Sequence, residues 1–137
     1  MAREPLNVEV VSAEQVVWTG KSTQVIARTV EGDMGILPGH EPVLALLQPS
    51  RITIVTAEGT QESLYVDGGF LSVARNRVSI LAEEAKMGEQ ISVEGAQAAL
   101  DKLMLKYNEG EASDEERHKI HMLKAQLAAA EQASGNN

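Results

Sequence analysis

The apolar period changes once along this chain, and that change limits what it can fold into. Up to about residue 85, short apolar runs alternate with polar residues, and turn signals recur at roughly ten-residue spacing. Leu6, Val8 and Val10 alternate with Asn7 and Glu9. Arg51 to Thr56 are mostly β-formers, Ala57 to Thr60 break the run, and Leu64 to Val66 resume it. Gly69 to Ala74 and Arg77 to Leu81 flank a turn at Arg75-Asn76. This pattern predicts an all-β sandwich or barrel. No helical period separates the runs, which argues against a parallel βαβ sheet.

From residue 92 to 133 the period becomes helical. Val93, Ala96, Leu100, Leu103 and Tyr107 form one stripe, and Ile120, Leu123, Leu127 and Ala130 form a second. Asn108-Glu109-Gly110 breaks the pattern between them. Ser113 to Glu116 reads as a capping box, in which each end residue satisfies the other's backbone amide. Asp114 and Glu115 also suit the positive helix start. Two helices on a short loop pack antiparallel. The expected class is therefore β + α: an N-terminal antiparallel β-sandwich over 1–86, then a C-terminal antiparallel helical hairpin over 91–134. Lys86 to Gln90 is polar, holds a glycine, and is expected to act as the hinge. The tail Ser134 to Asn137 is expected to fray. Two such helices bury too little to hold themselves together, so they need a surface to lie on. That surface is either their own sandwich or another protein, and a marginal module of this kind can change partners.

Charge and composition narrow the function. Net charge is −8, which opposes binding to nucleic acid or to anionic lipid. There are no cysteines, so disulfides and thiolate metal sites are excluded. Aromatics are 3% of residues, so the core must rest on aliphatic side chains. MAREPLNVEVV has no apolar h-region, and no signal peptide is expected. No uninterrupted apolar run approaches the roughly 18–20 residues of a membrane span, so no direct membrane insertion is expected.

The stretch EGDMGILPGHEPVLALL, residues 31–47, looks chemically suggestive but matches no catalytic pattern. It lacks GxxxxGK[ST], having no Lys and no Ser or Thr after Gly39, and it does not match GxGxxG. Pro42 prevents His40-Glu41 from opening a helical HExxH pair. A glycine-punctuated turn between strands is the leading structural reading. His118 and His121 stand three apart, but a metal site needs further ligands, and Asp114 and Glu115 equally serve the cap. Asp67-Gly68-Gly69 reads as a bulge or turn. No catalytic residue, metal or cofactor is called for. Residues 117–130 hold Arg117, Lys119 and Lys124 and no acid. Arg117, His121 and Lys124 share one helix face, either as a solvated surface or as a basic strip that meets an acidic protein.

GDMGILPGHEPVLALL resembles the signature of the epsilon subunit of bacterial F-type ATP synthases, a G-x-x-G-I-L-P-G-H-x-P turn followed by an apolar run. LNVEVVSAEQVVWTG resembles that family's opening strands, and SLYVDGGFLSVARNRVSILAEEA its later ones. The resemblance covers essentially the whole chain. It implies a non-catalytic part of a rotating central stalk, whose sandwich binds the gamma subunit and rests on the c-subunit ring. It implies that Glu31, Asp33, Met34 and His40 meet those partners, Asp33 near the ring and His40 near gamma. It also implies a regulatory hairpin that can extend into the catalytic hexamer and suppress ATP hydrolysis. Arg117, His121 and Lys124 would then face an acidic surface of the beta subunit. The implied location is peripheral, on the cytoplasmic face of a bacterial plasma membrane.

The chain departs from the family at one place. Members that bind ATP carry I/L-D-x-x-R-A at the start of the first helix, whereas here Ile91, Ser92, Gly95 and Ala96 occupy those positions. Ser92 stands for the Asp and Gly95 for the Arg, so the fixed cation for phosphate is lost. Weak or absent ATP binding is expected, with Ser92 serving as a helix cap. The competing reading is a stand-alone ligand-binding or enzymatic β-domain with a helical tail.

Overall fold

The structure, a computed structural model, describes residues 4–134. Of the tail expected to fray, Ser134 closes the last helix, and residues 135–137 lie outside the described residues. Nine strands come first: β1 (Leu6–Val11), β2 (Val16–Thr29), β3 (Gly32–Ile36), β4 (Val43–Leu47), β5 (Ser50–Thr56), β6 (Gln61–Val66), β7 (Gly69–Ala74), β8 (Arg77–Leu81) and β9 (Ala85–Met87). A short 3₁₀ turn, Gly88–Gln90, leads to α1 (Val93–Asn108) and α2 (Asp114–Ser134).

The strands pair in the order β1-β8-β7-β4-β2-β5-β6-β9, with β3 also on β2 and β1 also on β2. The 14-residue β2 is long enough to serve both layers of the sandwich. Its first half pairs with β1, and its second half with β3 and β5. Every pairing is antiparallel except β1–β8, which is parallel. That pairing, with β1–β2, closes the first layer and leaves few free edges.

Alternation places Leu6, Val8 and Val10 inward from β1, and Leu71, Val73, Val78 and Ile80 inward from β7 and β8. They meet Val25, Ile36, Ile52, Ile54, Leu64 and Val66 from the other layer. All of these residues are at most 2% exposed, as a sheet-on-sheet core requires. Asn76 and Arg75 both take positive φ, 61° and 52°, which is the tight turn that the β7–β8 register demands.

Residues 31–47 are more ordered than a simple turn. They contain β3 and β4, and only 37–42 form the loop between them. The period there is short and punctuated by glycine, so strand pairing to β2 and β7 decides it rather than local propensity. The His40 amide donates to the Leu37 carbonyl at 3.0 Å, and the Gly39 amide donates to Asn76 Oδ1 at 2.7 Å.

The hairpin forms as expected. Ala96 and Leu100 of α1 pack against Ile120 and Leu123 of α2, with Leu103 and Leu127 partly buried beside them. The ends of the α1 stripe are open: Val93 and Tyr107 are 51% and 50% exposed. Ser92 caps α1, accepting from the Gly95 amide at 3.2 Å. The capping box closes both ways: the Glu116 amide donates to Ser113 Oγ at 3.1 Å, and the Ser113 amide donates to Glu116 Oε1 at 3.0 Å. Lys106 Nζ adds an ion pair to Glu116 Oε2 at 2.8 Å, tying the end of α1 to the start of α2.

The second face of α2 lies on the sandwich. Ala125 and Ala129 cover Tyr65, with Met122 and Ile91 at the rim. This is why β6 buries four successive residues, Ser63 to Val66: one face looks into the sandwich and the other lies under the helix. Ser63 Oγ donates to the Ala129 carbonyl at 2.9 Å, and Thr53 Oγ1 donates to Gln132 Oε1 at 2.8 Å. Lys86 and Met87, expected within a hinge, form part of β9 and pair with β6. Gly88 follows, and a Cβ there would strike the Ala129 carbonyl oxygen and lie 3.0 Å from Ala133 Cβ.

Two outcomes follow from these contacts. Gly88→Leu should lift α2 from the sandwich at a cost of about 1–3 kcal/mol. Hydrogen exchange of residues 120–134 should then accelerate while the β-strand amides stay protected, and unchanged exchange would contradict the packing. The second outcome concerns acid. The Lys106 ammonium and the Ser113 amide hold Glu116 down to about 2, from an ordinary 4.5. A depressed carboxylate stabilises the fold above its unfolded pKa and loses that contribution as pH falls. The hairpin should therefore weaken between pH 4.5 and about 2, and Glu116→Gln should flatten that part of the profile in far-UV circular dichroism melts.

Candidate functional site

The two outer faces of the sandwich differ. The face of β5 and β6 is covered by α2, whereas the face of β4, β7, β8 and β1 is bare among the described residues. On the bare face, register aligns one apolar row across four strands: Leu46 opposite Phe70, Phe70 opposite Leu81, and Leu81 opposite Val11. Side chains directly opposite on neighbouring strands lie about 4.5–5.5 Å apart at Cβ, so the row is continuous. Leu46, Phe70 and Leu81 are each 50–52% exposed, and Leu44 beside them is 73% exposed. Val30 extends the row, its amide donating to the Leu46 carbonyl. Gly69 lets β7 begin here: its φ is +117°, and a Cβ would collide with the Leu81 carbonyl oxygen. A contiguous exposed apolar strip on a charged protein marks a protein-binding surface.

Sequence reasoning missed this surface. Phe70 and Leu81 read as ordinary strand residues, because alternation shows which residues share a face but not which face is covered. The available signal was VLALL, where Leu44 and Leu46 occupy the positions that alternation assigns to solvent.

The residues expected to meet partners fall at the two ends of β3. Glu31 is exposed in the β2–β3 turn, its amide donating to Thr29 Oγ1 at 3.0 Å. Asp33 is exposed and accepts from Arg28 Nε at 2.9 Å. The Arg28 hydrogen bond and charge hold Asp33 below the usual carboxylate range, so it is charged at neutral pH. Met34 is half-buried and packs on the sandwich core. His40 stands at the other end, in the 37–42 loop, with Nδ1 2.6 Å from the Glu41 carbonyl oxygen. Five strand residues put about 17 Å between the two ends, so these residues form two clusters rather than one.

On the hairpin, Arg117, His121 and Lys124 are all exposed, as a shared face requires. The structure divides them: His121 and Lys124 line a cleft against the sandwich, and Arg117 does not. The positions of the degenerate ATP motif have structural roles. Ile91 packs beside Tyr65, Ser92 caps α1, Gly95 supplies the amide to that cap, and Ala96 lies in the hairpin core. Among the described residues no group of three or more His, Cys, Asp or Glu is placed to hold a metal ion.

Comparison with known proteins agrees with this architecture. The profile described as ATP synthase, Delta/Epsilon chain, beta-sandwich domain matches residues 5–88. The ATP synthase epsilon chain of Cutibacterium acnes is 43% identical over 138 residues, covering 95% of this chain and 94% of that protein. The epsilon chain of Rhodococcus erythropolis is 42% identical over 129 residues, covering 93% and 98%. A chain in the cryo-EM structure of the Euglena gracilis mitochondrial ATP synthase superposes with a TM-score of 0.72 at 23% identity, over 98% of this chain and 82% of that one, a likeness of fold. A β-sandwich with one bare apolar face, a helical hairpin across the other, and near full-length identity of this degree make the chain a member of the ATP synthase epsilon-chain family, a non-catalytic subunit of that complex.

Proposed function

We propose that this chain is the adaptor of a central stalk: its sandwich clamps the gamma subunit and seats on the c-subunit ring, and its hairpin brakes ATP hydrolysis. The observation that carries the first half is the bare apolar row Leu46–Phe70–Leu81. Exposed aliphatic and aromatic side chains at this density gain about 25 cal/mol per Å² when a partner covers them. Gamma is assigned to this face because torque needs a broad apolar grip, and no other bare face of the sandwich carries one among the described residues. The turn with Glu31 and Asp33 is polar and charged, which suits the polar loops of a ring, and His40 stands at the opposite end toward the shaft.

The second half rests on the seam under α2. Tyr65 is fully buried there, and its hydroxyl, with Gln126 and Glu84 near it, makes no well-formed hydrogen bond among the described residues. Burial pushes the phenol well above its ordinary 10.0. A buried hydroxyl without a well-formed partner costs up to about 1–3 kcal/mol, which offsets part of the docking of α2. A helix held by two small alanines, Met122 at the rim and two side-chain hydrogen bonds can leave for another surface. Once it has left, Arg117, His121 and Lys124 are free to meet an acidic face of the beta subunit. Nucleotide is not the signal at residues 91–96, because Ser92 and Gly95 offer no cation there. The chain acts from the cytoplasmic face of the membrane as a peripheral part of the complex. No helix among the described residues is long and apolar enough to cross a bilayer.

Phe70→Asp should weaken capture by immobilised gamma by about 2 kcal/mol or more, as a central apolar anchor does. Asn7→Asp, on the same sheet but outside the apolar row, should leave capture unchanged. Equal capture of both variants would remove gamma from this face. Deleting residues 91–137 should raise ATP hydrolysis by membranes that carry the assembled synthase, and an unchanged rate would mean that the hairpin is no brake.

A further inference from the structure

The cleft between α2 and the sandwich is used neither by the apolar grip nor by the hairpin core. It encloses about 320 Å³, at the small end of ligand pockets. Its sandwich wall carries Arg28, Asp33 and Arg51, and its helix wall carries His121, Lys124 and Ala128. Three permanent cations and one carboxylate give 3 − 1 = +2 there, in a chain of net −8. A charge of inverted sign inside a concave site focuses the field on a counter-ion.

The pairing of these groups sharpens the point. Asp33 is committed to Arg28 through Nε, which holds the guanidinium in place and leaves its terminal N–H groups unused by that bond. Lys124 makes no ion pair among the described residues, and Arg51 makes none at bonding distance, though its charge also acts on Asp33. Two guanidinium forks, an ammonium and an imidazole are the donors that bind a compact oxyanion. No Phe, Tyr or Trp lines the cleft, so its recognition rests on the charged donors rather than on a broad aromatic platform.

We propose that this cleft binds an inorganic phosphoanion, phosphate or pyrophosphate, between Arg28 and Arg51 of the sandwich and Lys124 and His121 of α2. Half of the site leaves when the helix leaves, so an anion bound there favours the docked hairpin by simple linkage. The binding stands on the cleft itself, and only its regulatory consequence rests on the reading of the hairpin as a mobile brake. The site is separate from residues 91–96. A synthase consumes and releases phosphate, so the ligand is of the class the assembly handles.

The test uses the full chain, titrated with phosphate and with pyrophosphate at fixed ionic strength set by chloride, and followed by amide shifts. Saturable shifts at residues 26–28, 48–53 and 121–128 are expected. Arg51→Gln and Lys124→Gln should each weaken binding by about tenfold, the scale of one charge-assisted hydrogen bond. Circular dichroism of each variant in the absence of anion should match that of the parent, so lost binding is not lost fold; a variant that fails this check is replaced by Arg51→Lys, expected to weaken binding severalfold. Phosphate should also slow hydrogen exchange in α2. Shifts that fail to saturate, that chloride alone reproduces, or that survive both substitutions would overturn the site. So would ATP binding more tightly than pyrophosphate with shifts confined to 91–96. A chain that binds phosphate but does not brake hydrolysis would leave the cleft standing and remove only the regulation.

Discussion

The structure depends on the seam where α2 lies on β5 and β6. Tyr65 stands up from β6 beneath Ala125 and Ala129, and Gly88 lets the chain pass close under the same turn of helix. Ser63 and Thr53 each add one hydrogen bond across the seam. These contacts are small and specific. Alanine gives close approach but little buried area, and the Tyr65 hydroxyl, which lacks a well-formed hydrogen bond, subtracts from the gain. The hairpin is therefore held in one register by a few specific contacts. Its own core of Ala96, Leu100, Ile120 and Leu123, closed by the Ser113–Glu116 box and the Lys106 ion pair, ties the two helices into one unit.

The seam also explains the division of labour between the faces of the sandwich. Covering β5 and β6 leaves the β4–β7–β8 face as the only bare one that carries an apolar row among the described residues. One layer thus carries the exposed apolar row while the other carries the hairpin. The same arrangement forms the basic cleft, because Arg28 and Arg51 meet Lys124 and His121 only while the helix is docked.

Much of this was legible in the residues. The strands β1, β5, β7 and β8 follow from alternation, because a strand buried on one face must repeat every second residue. Both helices and the capping box follow from the 3.6 period and from the chemistry of orphan amides. The parts that could not be read share one cause. Strands β3, β4 and β9 and the long reach of β2 are short or interrupted patterns that become strands only by pairing with distant partners. The double burial of Ser63 to Val66 looks locally like a generic apolar run, and only the helix above it gives it meaning. The apolar row needs the register of four strands before Leu46, Phe70, Leu81 and Val11 become neighbours.

By itself, then, the sequence determined the class of the fold, the succession of strands before helices, the hairpin's internal core and its caps. These are settled by periods and by contacts a few residues apart. The tertiary structure alone decided which sandwich face the hairpin covers, which apolar side chains stay bare, and that Arg28, Arg51 and Lys124 share one cleft. Those outcomes join residues tens of positions apart, and strand register and helix docking carry that information where no local pattern can.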